Sequence, residues 1–454
     1  MTRIVFTIAC CSFAFSPVFS AANAQSPTDM AVLQGLAPVT TLSKTDAGQA
    51  ALAANYTVTG GIQTGAIRQP TLLPFAEQQQ QALRDAFITD ANLAELADGL
   101  GTTLGSAWLA RAHYIDRSGA NATEISHAVT AVIAYSNATS GANAASGKFF
   151  FANLTTDGKT PVSSEAKAIL ANNGGSPDMF GTYGLPACNS GADKFGNSRP
   201  FQTEPSVTRF VGLDYFNTPA DNSDYNRGPI MNLVNSPSFP SGHTTYGYTG
   251  SVMLAVLVPE RYQQMIARAA EYGNDRIIMG AHYAMDVLGG RTLALYDMAH
   301  LLANDPKYVG KNLKDGTPMN DFRAAVEKAR TDVTATLRQA CGNSIDACGR
   351  QDTGRLSNPA ANEAFYAATQ TYGLPVVYPR NAGVVEDVGK LAPEAGYLLT
   401  VAFPALTLEQ ADAILTETEG PGGGFLDDGS SFGVYSRLNL YAAAGRAAQL
   451  AGRK

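Results

Sequence analysis

Residues 239–286 read FPSGHTTYGYTGSVMLAVLVPERYQQMIARAAEYGNDRIIMGAHYAMD, and their pattern decides the fold. A helix is predicted from Thr244 to Val258, with Ser241 placed to cap it. Pro259 suits the first turn of a second helix over 259–273, where Tyr262, Met265, Ile266 and Ala269 recur on one face at three- and four-residue spacing. Further helical signals fall at 283–303 and 321–340. No strand-like alternation competes with them, so the body reads as all-α.

Towards the N-terminus, helical patterning starts after Pro74. Leu83, Ala86 and Phe87, then Leu93, Leu96 and Leu100, keep the spacing of one buried face. Ile125, Val129, Val132 and Ile133 repeat it, with Asn121 as the expected N-cap and Glu124 three residues on. Residues 25–72 are rich in Ala, Thr, Gly and Gln without clear periodicity and are expected to form an extended arm lying on the body. From about 138 to 240, Gly, Asn, Ser and Pro crowd together. A loop region this long inside a compact domain is usually functional, and this one is expected to shape the mouth of a pocket. Near the C-terminus come a helical segment from Leu408 to Thr416, a turn Gly420-Pro421-Gly422-Gly423-Gly424, an acidic turn Asp427-Asp428-Gly429 read as solvated, and a final helix near Leu438 to Leu450. The predicted organisation is a leader (1–24), the arm (25–72), a helical domain (73–345) and a mostly helical C-terminal extension (346–454).

The 454 residues carry 32 Lys plus Arg against 39 Asp plus Glu, a net charge of −7. Nothing in that balance neutralises a phosphate backbone or an anionic membrane surface, so nucleic acid is excluded as the expected partner. Arg3, the apolar run Ile4 to Phe15 and the small residues Ala22-Asn23-Ala24 read as a cleavable secretory signal, which places the mature protein in the periplasm or outside the cell. No later stretch approaches the ~20 uncharged apolar residues that a membrane span needs. Cys10 and Cys11 leave with the signal. Cys341 and Cys348 flank six residues at a predicted helix end, and an oxidising compartment predicts a local disulfide between them; Cys188 is read as a buried, inert thiol. Nothing in the pattern sets an oligomeric state.

Only five histidines exist, so each neighbourhood can be read separately. His113, His127 and His300 read as surface or hydrogen-bonded core histidines. His243 ends Pro240-Ser241-Gly242-His243, directly before a helix whose first-turn N–H groups and dipole suit an anion. His282 stands in Arg276-x5-His282-x3-Asp286. On a helix that spacing puts Asp286 on the face of His282, where its carboxylate holds the Nδ1 proton and leaves Nε2 as a lone pair, as a nucleophile or base requires. Arg276 and the upstream Arg199-Pro200-Phe201 add two guanidinium forks, which suit the oxygens of a transferring phosphoryl group.

An Arg-Pro element, then Pro-Ser-Gly-His, then Arg-x5-His-x3-Asp, in that order, resembles the superfamily of type 2 phosphatidic acid phosphatases, bacterial class A non-specific acid phosphatases and vanadium haloperoxidases. The 33 positions from His243 to Arg276 are similar to the compact spacing of the class A enzymes, and the likeness covers about 90 residues, Lys194 to Asp286. The resemblance implies an all-α bundle and an acid phosphatase acting on small phosphate monoesters without metal or other cofactor. It further implies that His282 attacks phosphorus and becomes phosphohistidine, that Asp286 fixes its tautomer and that His243 protonates the leaving alcohol. Arg199, Arg276, Ser241 and the Gly242 backbone would hold the phosphoryl oxygens. Two positions depart from the family pattern. Its first motif is Lys-x6-Arg-Pro, whereas Ala192 stands seven before Arg199 and Lys194 five before; Lys194 is assigned to phosphate in its place. The usual Ser before the third motif's Arg is Asp275, which weakens phosphate binding if it points inward and is harmless if it points out. A vanadium-dependent haloperoxidase, and an oxyanion-binding protein without catalysis, are the alternatives.

Overall fold

A computed structural model describes residues 42, 45–67, 71–88, 94–111, 125–139, 199–203, 207–226, 228–233, 238–310 and 319–452. The leader, His113, Asn121, Glu124, Cys188 and Lys194 lie outside them. Among the described residues the helices of eight or more residues are α1 (Asp46–Thr64), α2 (Phe75–Asp85), α3 (Thr102–Leu109), α4 (His127–Thr139), α5 (Gly242–Leu257), α6 (Tyr262–Ile278), α7 (Ala284–Leu302), α8 (Phe322–Cys341), α9 (Pro359–Thr369), α10 (Leu408–Glu417) and α11 (Leu440–Leu450). The fold is all-α. The exception is a short antiparallel hairpin, β1 (Val211–Leu213) and β2 (Pro219–Asp221), in register Gly212 opposite Ala220.

α5 packs against both α6 and α7, and α8 against α4 and α5. Every residue of α5 is buried, which is why its sequence shows a chargeless run rather than an amphipathic stripe. One apolar cluster runs from Leu96 and Trp108 through Val252, Met265 and Met298 to Phe365, Leu415 and Tyr441. Residues after 345 therefore share a core with the helices before it. Each such side chain contributes roughly 1.5–3 kcal/mol on leaving water.

The N-terminal segment differs from the extended arm expected over 25–72. Residues 46–64 form α1, capped by Thr45, whose hydroxyl accepts from Gly48 N at 3.0 Å. Its buried face mixes Ala51, Leu52 and Ile62 with Asn55, Thr59, Gly60 and Gln63. Polar and small residues at the inward positions erase the hydrophobic periodicity that signals a helix. α4 begins at His127, and Ser126 accepts the cap hydrogen bond from Val129 N at 3.2 Å.

Cys341 and Cys348 are joined by a disulfide across the turn after α8. The acidic turn read as solvated is not so for Asp427, which is 1% exposed, accepts from Gly423 N and lies 3.7 Å from Arg437 Nη1. Asp428 is exposed and takes Ser430 N at 3.0 Å. No helix among the described residues is long and apolar enough to cross a membrane.

Candidate active site

Three segments converge on His282: the Arg199 turn, the Pro-Ser-Gly-His turn before α5, and the connection from α6 to α7. Gly280, at φ +73°, sets the course of that connection. A Cβ there would also lie 2.8 Å from Val207 Cγ1, so only glycine fits. The Gly280 carbonyl accepts from Phe201 N at 2.9 Å, which ties the Arg199 turn to the connection. On the other side Gly290 lets α7 approach the Ser241 carbonyl, where a Cβ would sit at 2.5 Å.

His282 is not on a helix, contrary to the reading of the i, i+4 spacing. It lies two residues before α7, and Asp286 is in that helix's first turn. The pair forms all the same, at 3.3 Å between His282 Nδ1 and Asp286 Oδ2. The same oxygen accepts from Tyr283 N at 2.8 Å, so one carboxylate caps the helix and orients the ring. With Nδ1–H given to Asp286, Nε2 is the acceptor. Arg199 Nη1 and His243 Nδ1 both approach it at 3.0 Å. Arg199 Nη1 is held in turn by the Ala281 carbonyl at 3.0 Å. Burial pushes the Arg199 guanidinium down to about 10, against the pull of Asp286 and Tyr246, so it stays cationic through acid and neutral pH.

Ser241 N donates to the Asp286 carbonyl at 3.0 Å, and its hydroxyl accepts from Thr244 N at 3.0 Å as the cap of α5. That leaves the hydroxyl proton as a donor, beside the first-turn N–H groups of Gly242 and His243, which no intrahelical carbonyl can reach. His282, Asp286 and Ser241 are fully buried, whereas His243 and Tyr246 keep 8% and 7% exposure. Solvent thus meets these residues on the His243 side.

Arg276, assigned from the sequence to the phosphoryl oxygens, has its guanidinium on contacts of its own. Its Nη2 donates to the Ala82 carbonyl at 2.9 Å and its guanidinium lies 4.8 Å from the Tyr272 ring centre. Its backbone carbonyl accepts from Ala281 N at 3.0 Å and His282 N at 3.2 Å, so the residue supports the turn that carries His282. Asp275 points into a fully buried ionic cluster, where Gln78 Nε2 donates to it at 2.8 Å.

Sequence reasoning missed the contribution of α1. Thr59 Oγ1 accepts from Ala284 N at 3.0 Å and Asn55 Oδ1 from Met285 N at 2.9 Å, while Tyr56 meets the Tyr283 ring edge-on at 5.2 Å. α1 therefore caps the helix that carries Asp286. The signal for it was the three- and four-residue recurrence of Leu52, Asn55, Tyr56, Thr59 and Gln63, invisible to a hydrophobic count. Replacing Asn55 by Ala together with Thr59 by Val is expected to cost about 1–2 kcal/mol of stability. It should also lower kcat about tenfold or more with little change in KM, through displacement of the His282–Asp286 pair. Urea melts and steady-state kinetics check both, and Thr59→Ser should restore the Thr59 share.

Residues 187–304 match the family model described as the PAP2 superfamily. That stretch contains Arg199, Ser241, Gly242, His243, Arg276, His282 and Asp286, and excludes α1 and everything after α7. Over 69 residues the chain is 42% identical to a non-specific acid phosphatase of Salmonella typhimurium, covering 15% of this chain and 28% of that protein. It is 30% identical over 127 residues to a non-specific acid phosphatase of Providencia stuartii, covering 28% of this chain and 45% of that protein. An acid phosphatase of Zymomonas mobilis is 39% identical over 64 residues, 14% of this chain and 24% of that protein. The chain thus spans between a quarter and just under half of the length of these curated relatives.

Proposed function

We propose that the protein is an exported acid phosphatase that hydrolyses small phosphate monoesters through a phosphohistidine, with no metal required. The observation that carries this reading is the surround of His282 Nε2: a carboxylate behind the ring, and a guanidinium and a second imidazole each 3.0 Å in front of it. The similarity to acid phosphatases over the matched stretch supports it, and the Cys341–Cys348 disulfide supports export to an oxidising compartment.

In the first step the Nε2 lone pair attacks phosphorus, the ester P–O bond breaks, and His243 gives its proton to the departing alcohol oxygen. Arg199, the Ser241 hydroxyl and the first-turn N–H groups of α5 take the phosphoryl oxygens, and Arg276 joins them by leaving Ala82. Lys194 is assigned to the same oxygens. In the second step His243 removes a proton from water, which attacks phosphorus as the P–N bond breaks, releasing inorganic phosphate and restoring His282. Guanidinium charge and the helix terminus thereby supply what a divalent cation supplies elsewhere. Pure binding needs neither a nucleophile nor an acid, and here both rings meet at one nitrogen.

Phosphate release from a panel of monoesters should survive EDTA and be inhibited by vanadate, which can adopt the trigonal-bipyramidal geometry on His282. Complete loss with EDTA, restored by a divalent metal, would sink the proposal. Halide oxidation by the vanadate-treated protein with peroxide would instead favour the haloperoxidase alternative.

A further inference from the structure

Where solvent reaches the His282 site, it meets an aromatic surface. Arg199, Ser241, His282 and Asp286 are sealed off, while His243 and Tyr246, three residues apart on α5, keep contact with water. Residues at that spacing are neighbours on a helix. Their ring centres lie 5.6 Å apart with the planes at 54°. Behind Tyr246 stands Tyr272 of α6, fully buried and 6.2 Å away between ring centres. Three contacts hold Tyr272 in place. Its hydroxyl donates to the Ile88 carbonyl at 3.1 Å, and the Arg276 guanidinium lies 4.8 Å from its ring centre. Its ring also presses on α5 at Gly247, where a Cβ would lie 2.2 Å from Tyr272 Cδ1. Tyr246 is thus backed by a fixed ring on one side and keeps its solvent contact beside His243.

We propose that Tyr246 is a specificity-determining residue, whose ring flanks the leaving group beside His243 and favours phosphate esters of aromatic alcohols over those of aliphatic ones. This deepens the phosphatase reading and rests on it for the role of His243. An alcohol oxygen that takes a proton from His243 comes within about 2.6–3.2 Å of that ring. The first carbons of the leaving group then lie next to Tyr246, whose ring centre is 5.6 Å from that of His243. Aromatic pairs attract at ring-centre separations of about 4.5–7 Å, offset or edge-to-face, beyond what the buried area alone gives. An aryl group bonded to the oxygen falls in that range, and an alkyl chain has no ring to offer. Tyr246 touches a part of the substrate that does not react, so it holds that part alike before and during P–O cleavage. The preference therefore falls on KM and not on kcat.

The experiment compares phenyl phosphate with hexafluoroisopropyl phosphate, whose alcohols are of similar acidity, so that leaving-group ability cancels in the ratio of kcat/KM. Wild type should favour the phenyl ester about three- to tenfold, and 2-naphthyl phosphate, with its larger face, by more. Tyr246→Leu should bring the phenyl preference to within about twofold of unity through KM, and Tyr246→Phe, which keeps the ring, should retain it. A second measurement, by calorimetry, uses benzylphosphonate and ethylphosphonate, whose P–C bonds are not hydrolysed. The benzyl compound should bind wild type about three- to tenfold tighter and Tyr246→Leu about equally. Equal ratios in wild type and Tyr246→Leu, or a Tyr246→Phe that loses the preference as Leu does, would overturn the proposal. If Tyr246→Leu does not fold, the wild-type ratios decide: no phenyl preference, or no gain from naphthyl, overturns it. Hydrolysis with flat ratios refutes the aromatic contact and leaves the phosphatase reading standing. The phosphonate preference without hydrolysis of any monoester refutes the phosphatase reading alone, and neither hydrolysis nor that preference refutes both.

Discussion

His282→Ala is expected to abolish phosphate release from every monoester, with kcat falling by about 10⁴-fold or more. The loss should be the same for aryl and alkyl esters, because no covalent intermediate can form whatever the leaving group. Arg199 Nη1 and His243 Nδ1 both converge on the Nε2 of this one ring. What survives the substitution is the electrostatic hold of Arg199 and the α5 terminus on the phosphoryl group, a residue of catalysis familiar from enzymes stripped of a nucleophile. A stability cost should accompany the loss, since alanine leaves the buried Asp286 carboxylate without the ring it faces at 3.3 Å, although Tyr283 N still donates to it. Labelled phosphate trapped on wild type by rapid quenching in alkali, and absent from His282→Ala, is the direct check. Label recovered on His243 or Ser241 would reassign the nucleophile.

The helices around this site were legible because their cores are simple. Ser241 as a cap announced α5, and Met265, Ile266 and Ala269 announced α6; the observed bounds differ from the expected ones by a few residues. The His282–Asp286 pair was also legible, but for a reason other than the one the spacing suggested. A four-residue separation spans a helix N-terminus as readily as it spans a helical turn, and only the Gly280 turn decides between them. α1 was illegible because its inward positions carry hydrogen-bonding groups matched to Ala284 N and Met285 N, partners more than two hundred residues away. The hairpin at 211–221 escaped because three-residue strands are too short to show alternation. The orientation of Asp275 is likewise tertiary: its hydrogen bond comes from Gln78 on another helix, and no local pattern encodes it.

His243→Ala should produce a different kind of defect, and the difference separates the two imidazoles. His243 is the member of the pair that keeps contact with solvent, and on the proposed mechanism the alcohol would leave past it. An alkyl alkoxide is a poor leaving group and needs its oxygen protonated as the P–O bond breaks; a nitrophenolate departs without that help. General acid catalysis is worth about 10²–10⁴-fold, and alkyl phosphates should lose about that much in kcat/KM. For nitrophenyl phosphate the loss at the first step should be within about tenfold. There the second step becomes limiting, because water must then attack the phosphohistidine without a base, and the intermediate should accumulate as a burst of nitrophenolate ahead of steady turnover. A plot of log kcat/KM against leaving-group pKa should therefore be shallow for wild type and steep for His243→Ala. Equal losses across the series, with no burst, would remove His243 from proton transfer and leave it as a ring that merely positions His282 through the 3.0 Å contact.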